Sequence, residues 1–416
     1  MILKRVFERH AAKLGGLEIL KYIGPGFLVT VGFIDPGNWA SNVAAGSGYG
    51  HSLLWMVTLS TLMLIVLQHT AAHLGIATGL CLSEASAVHM RKWTGMLFLL
   101  TAVLASVSTA LAELLGAAIG LNMLFGLPLG IGASLSAGLA VYMLFSRGYK
   151  GLEKWIIAFV SLIGLSFLFE LTLVKVGWQE AARGWFVPSM PAGSLPVVMS
   201  VLGAVVMPHN IFLHSEVIQS RRWNLEGEAV IKRQLKFEFA DTLFAMLIGW
   251  AINSAMIIVA ASVFHTQGMT VTELPQAELT LRPLLGGIAA SVFGVALVLA
   301  GFSSSITAAM AGGSIFAGMF QEPFDPSDSH SRIGVVITIL GALIVIFFVN
   351  SPFQTMIWSQ IILSIQLPFT IFALIYLTSS KKVMGRFANL TYHRVILWIV
   401  ALIVCFLNVK LLVQLI

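Results

Sequence analysis

The sequence predicts an all-α integral membrane protein of about eleven transmembrane helices. Ten of them form two inverted five-helix repeats, and the first helix of each repeat is broken. Three observations lead there. The chain is 58% hydrophobic and only 10% charged, against roughly 25% charged for a soluble domain. Nearly charge-free runs at 54–67, 155–174, 333–349 and 395–407 fit inside helices of the roughly 20 residues that a bilayer requires. Two polar, proline-bearing stretches, Asp35-Pro36-Gly37-Asn38 and Met207-Pro208-His209-Asn210, interrupt apolar segments in opposite halves of the chain.

Residues 1–21 are basic, amphipathic-looking and without a small-residue cleavage site, so they read as a retained cytoplasmic segment. Spans follow near 22–47, 53–74, 95–123, 129–146 and 155–176, then near 195–217, 238–264, 285–316, 333–350 and 355–378. These make a ten-helix core over 22–378 with repeats 22–176 and 195–378. Residues 379–416 add a cytoplasmic loop and an eleventh span near 393–414. Gly32 to Asn38 aligns with Ala204 to Asn210 at an offset of 172 residues. An odd number of helices per repeat turns the second repeat upside down in the bilayer.

The net charge of +6 does not point to nucleic acid. Alternate connections on one side of the spans hold 20 of the 24 basic residues. That bias places the N-terminus and the loop 218–236 in the cytoplasm and the C-terminus outside, as expected of a multi-pass protein of the cell membrane. Cys81 and Cys405 are far apart, which argues against a disulfide framework or a thiolate metal site.

Proline lacks the backbone N–H, so Pro36 and Pro208 free carbonyls one turn earlier, those of residues such as Gly32 and Ala204. Gly37 lets the chain turn sharply. An ion at such a break meets the Asp35 carboxylate, the Asn38 side-chain oxygen, the Met207 thioether and one or two freed carbonyls. The thioether favours manganese, iron, cobalt or cadmium over hard ions. Core packing is the plain alternative for Met207, and a helix cap is the alternative for Asp35, Asn38 and Asn210. A carboxylate near mid-bilayer is costly enough to mark function by default. His209, His214 and Glu113 are candidate proton carriers, with packing roles open for both histidines. His69 and His73 read as gate or interface groups near the end of span two, and Glu170 has no assigned role.

These residues resemble the natural resistance-associated macrophage protein (Nramp) family, as a divergent member. The likeness rests on Gly24-Pro25-Gly26-Phe27, Asp35-Pro36-Gly37-Asn38-Trp39-Ala40, Met207-Pro208-His209-Asn210 and His214-Ser215. Leu67-Gln68, Leu111-Ala112-Glu113, Ser359-Gln360 and Gln366-Leu367-Pro368-Phe369 extend it. The resemblance implies the LeuT-type fold and proton-linked uptake of Mn2+ or Fe2+. It implies metal binding by Asp35, Asn38, Met207 and the Ala204 carbonyl, joined in some states by the Gly32 carbonyl and Gln360. It also places Asn253 and Gln68 as gate residues. Three positions depart from the family pattern. Ala110 and Asn42 stand where acids are common, and Arg332 is the lone match to a usual arginine pair.

The function expected is import of a divalent transition metal by alternating access, with metal ions and protons as partners. The metal is substrate, no cofactor is expected, and the protein is expected to be a monomer in the lipid bilayer. The alternatives are an uncoupled divalent-metal uniporter and a magnesium carrier of the same fold. No HExxH or metal-plus-base cluster supports an enzyme.

Overall fold

Long apolar helices account for almost all of the chain that the computed structural model describes, which is residues 35–146, 164, 167–220, 223–225, 227–280, 282, 286 and 289–415. The segment 1–21, the first half of span one with Gly32, and half of span five lie outside the described residues. The helices are α1 (Pro36–Tyr49), α2 (Leu54–Thr78), α3 (Leu82–His89), α4 (Lys92–Phe125), α5 (Leu129–Phe145) and α6 (Trp178–Phe186). Next come α7 (Leu195–Val206), α8 (Pro208–Gln219), α9 (Glu228–Val263), α10 (Ala289–Gly318), α11 (Ser329–Ile346), α12 (Pro352–Thr378) and α13 (Thr391–Leu415). Among the described residues, eight helical segments are long and apolar enough to cross a membrane, counting α7 and α8 as one.

Their surfaces say which medium they meet. Ile131, Leu135 and Leu139 of α5, Ile333, Ile337 and Leu340 of α11, and Ile399, Leu402 and Phe406 of α13 are exposed. Each set repeats at three- or four-residue intervals, so each helix turns an apolar stripe outward. In water such stripes would aggregate, whereas in a bilayer they face lipid. Polar side chains go inward instead, among them Asp35, Asn38, Glu113, His209 and Gln360. Where helices cross inside the bundle, small residues allow close approach. A Cβ on Gly301 of α10 would lie 2.5 Å from the Glu113 carbonyl of α4.

Two connections between spans contain short helices, and a third is shorter than expected. The stretch 177–192 contains α6, and α3 lies between the second and third spans. The loop 218–236 is shorter than expected because α9 starts at Glu228. Each of these segments carries charge, which lowers a hydropathy average without preventing helix formation.

Proline acts in two opposite ways here. Pro208 begins α8, and the chain breaks before it at Met207. Pro368 lies inside α12, which runs on through it. The carbonyl that Pro368 leaves without its helical donor is that of Ser364. Asn408 of α13 donates its side-chain amide to that oxygen at 3.0 Å. The eleventh span therefore supplies a backbone partner to the tenth.

Candidate metal site at the two helix breaks

The two breaks share one local design. Pro36 and Pro208 each occupy the first turn of the helix that follows, where a missing N–H costs nothing. Asp35 is the N-cap of α1, and its Oδ1 accepts from the Asn38 backbone N–H at 2.6 Å. The carboxylate thus caps a helix, a role weighed against a ligand role from sequence, yet it does so while only 3% exposed. Asn38 and Asn210 are not caps but the third residues of their helices; the cap positions are Asp35 and Met207. Met207 holds φ at 44°, a left-handed conformation that a residue with a side chain rarely adopts. It ends α7 and begins α8 at once.

Asn38 ties the breaks together. Its Nδ2 donates to Asp35 Oδ2 at 3.1 Å and to the Ala204 carbonyl at 3.0 Å. Both partners are acceptors, so the amide must present its nitrogen to them. The Ala204 carbonyl is the one freed by Pro208, four residues on, as the sequence predicts. Gln360 of α12 closes against the same place. A Cβ on Gly37 would lie 2.3 Å from Gln360 Nε2, and one on Gly203 would lie 1.8 Å from the Gln360 carbonyl oxygen. Only glycine allows α1 and α7 to pack so tightly on α12. Asp35, Asn38, Ala204 and Gln360 are therefore drawn to one buried locus, and Met207 lies buried at the second break with its sulfur accepting from Asn210 Nδ2 at 3.0 Å.

On one side of that locus α4 presents a stripe of Thr109, Glu113 and Gly116. Gly116 abuts Pro36, and Thr109 Oγ1 lies 3.0 Å from His209 Nδ1. Glu113 is fully buried, and its carboxyl oxygens have no hydrogen-bond partner among the described residues. Glu113 and His209 thus border the breaks. His214 does not. Five residues along α8 from His209, it faces another neighbour, with Nε2 3.4 Å from Glu238 Oε1 of α9.

A polar seam joins α1 to α7 and α9. Ser41 Oγ and Ser200 Oγ are 2.6 Å apart, and Asn42 Nδ2 donates to Asn253 Oδ1 at 2.5 Å. Asn253 thereby meets Asn42, one of the positions that departs from the family pattern. Gln68 joins no such seam; it is buried on α2 without a hydrogen-bond partner among the described residues. The two residues grouped as gates are not brought together.

The model of the natural resistance-associated macrophage protein-like family, Nramp, matches residues 26–414. The chain belongs to the Nramp family. This Nramp protein is 38% identical over 401 residues to the divalent metal cation transporter MntH of Caldanaerobacter subterraneus, covering 94% of this chain and 93% of that one. It is 38% identical over 421 residues to MntH of Granulibacter bethesdensis, covering 99% and 92%. A crystal structure of the Eremococcus coleocola manganese transporter superposes with a TM-score of 0.78 at 25% identity, over 95% of this chain and 87% of that one. Mhp1, a nucleobase-cation-symport-1 family transporter, superposes at 0.63 with 18% identity, over 89% and 81%. That likeness speaks to fold alone, and the fold is the LeuT-type inverted repeat.

Sequence reasoning missed several polar residues of this Nramp chain. Glu238 sits at the first residue of the expected seventh span, where an acid passes for a helix-end charge, but it is 6% exposed and bound to His69 and His214. Thr109 and Ser200 gave no signal, because single hydroxyls are common in apolar helices. Asn408 could have been found as an amide inside an otherwise apolar eleventh span.

Proposed function

We propose that this Nramp protein is a secondary transporter that imports divalent transition metal ions, Mn2+ or Fe2+, by alternating access linked to proton movement. The observation that carries the reading is the meeting of a carboxylate, an amide and a freed carbonyl where two broken helices face each other in a multi-pass membrane protein, with a methionine at the second break. Asp35 supplies the anionic ligand, the Ala204 carbonyl and Asn38 supply oxygen, and Met207 supplies sulfur. Gln360 and the Gly32 carbonyl are further ligands in other states. The similarity to divalent metal and manganese transporters supports the same substrate class here.

Asn38 has a specific part in this reading. Its amide nitrogen now bridges Asp35 and Ala204, the two acceptors that a cation would bridge. An arriving ion replaces that nitrogen, and the amide turns over to present its oxygen. Binding therefore exchanges one set of contacts at the breaks for another.

The Ser41–Ser200 and Asn42–Asn253 contacts form the seam that acts as a gate in this reading. With the N-terminus in the cytoplasm and the C-terminus outside, that seam closes the outer approach of a protein in the cell membrane. Opening it admits metal, and tilting α8 about the strained Met207 hinge releases metal inward. His209 and Glu113 beside the site are the groups placed to take up a proton. The protein works as a monomer and as a carrier without resident cofactor, and no enzymatic step is needed.

The test is Mn2+ uptake into liposomes carrying the purified protein, with an inside-negative potential and a pH dye trapped in the lumen. Mn2+ enters with acidification, and an about 100-fold excess of Mg2+ competes poorly because the thioether adds nothing for a hard ion. Mn2+ entry without acidification would leave an uncoupled uniporter. Effective competition by Mg2+ would favour a magnesium carrier.

A further inference from the structure

A second buried polar cluster lies apart from the helix breaks. Glu238 of α9 is held between two histidines from different helices. Its Oε2 lies 2.6 Å from His69 Nδ1 of α2, and its Oε1 lies 3.4 Å from His214 Nε2 of α8. Thr242 Oγ1 donates to Oε1 at 2.7 Å. The His69 and His73 rings are nearly parallel with centroids 6.3 Å apart. The other titratable group acting on these two histidines is His393 at the start of α13.

Two features set this cluster apart from a static ion pair. Both hydrogen-bonded partners of the carboxylate in the ion-pair sense are imidazoles, which gain and lose protons near neutral pH, where lysine or arginine would stay charged. The side chains also form a gradient of exposure, from 1% for His214 and 3% for Glu238 to 24% for His69. The buried end remains open, since His214 Nδ1 has no hydrogen-bond partner among the described residues. That end belongs to α8, the helix that starts at the Met207 break.

We propose that His214, Glu238, His69 and His73 form a proton wire leading from α8, the helix that begins at the Met207 break, to the Thr78 end of α2. The wire rests on the proton linkage argued under Proposed function and names its route. A proton arriving on His214 Nδ1 lets Nε2 give its proton to Glu238 Oε1. The carboxyl group turns over to carry that proton to the His69 side and passes it to His69 Nδ1, and His69 Nε2 releases one toward His73 and water. Ring turnover restores the starting tautomers, so one proton moves and no other bond changes. Glu238 is the obligatory carrier between His214 and His69, because each of these two is hydrogen-bonded to it and neither to the other.

The experiment compares Glu238→Gln and His69→Gln with the unaltered protein in liposomes, reading Mn2+ uptake under an inside-negative potential and lumen acidification together. The expected result is Mn2+ uptake that persists while protons carried per Mn2+ fall by about tenfold or more, the scale on which a positioned proton carrier matters. If the unaltered protein acidifies the lumen and both variants acidify it equally per Mn2+, the wire is wrong and the linkage stands. If the unaltered protein moves Mn2+ without acidification, the linkage itself fails and takes the wire with it. If both variants lose Mn2+ uptake, the cluster is structural and the proposal is overturned.

Discussion

Asn38 and Ala204, 166 residues apart in the chain, are joined by a 3.0 Å hydrogen bond from a side-chain amide to a backbone carbonyl. The same amide nitrogen holds the Asp35 carboxylate at 3.1 Å. One side chain thus connects the broken helix of each repeat. Asn38→Ala leaves two buried acceptors without this donor, at about 1–3 kcal/mol for such a group. The expected outcome is a lower melting temperature in detergent and an apparent Mn2+ affinity in uptake assays weaker by about tenfold. Asn38→Asp should behave differently, because it sets an acceptor against two acceptors. Without metal it is less stable than Asn38→Ala, and Mn2+ raises its melting temperature more than that of the unaltered protein.

Met207 reverses the usual rule for glycine. In a helix, glycine is less favourable than alanine by about 1 kcal/mol. At φ 44° the left-handed backbone instead costs a residue with a Cβ about 1–2 kcal/mol that glycine avoids. Both Met207→Ala and Met207→Gly lose the packing of a side chain that is 3% exposed. Of the two, the glycine variant should unfold at the higher temperature. Both should discriminate less between Mn2+ and Mg2+ in uptake competition, because neither retains the sulfur.

Asn408 and Pro368 offer a test of the eleventh span. Asn408→Leu removes the donor to the Ser364 carbonyl and should destabilise by about 1–3 kcal/mol. Adding Pro368→Ala restores a backbone N–H four residues after Ser364, so α12 satisfies its own carbonyl. The double variant should recover most of the loss, giving a coupling energy of about 1 kcal/mol or more in a double-mutant cycle. Purely additive effects would mean that the contact contributes little.

Much of this architecture was legible because a bilayer leaves few options. Apolar runs had to be helices, and the two prolines among polar residues had to mark breaks, since lipid offers no partner for a freed backbone group. The i−4 rule alone led from Pro208 to the Ala204 carbonyl. What sequence could not supply was direction and pairing. Pro368 looks like another break, and only Asn408 arriving from a distant helix explains why α12 continues. Asp35 was weighed as either cap or ligand, whereas its two oxygens allow both contacts. His69 and His214 read as unrelated histidines until Glu238 is seen between them. Side-chain pairing across helices has no period in the sequence, so it stays hidden until the helices are packed.

The measurement that bears most directly on the account is Mn2+ uptake by Asp35→Asn beside the unaltered protein, in liposomes with an inside-negative potential. Asparagine is as good an N-cap as aspartate, so α1 keeps its start while the site loses its anionic ligand. The account predicts saturable uptake by the unaltered protein and a loss of about 100-fold in the variant, with the melting temperature in detergent nearly unchanged. Uptake by Asp35→Asn equal to that of the unaltered protein would contradict the account, because the ion would then cross without the carboxylate on which the site is built.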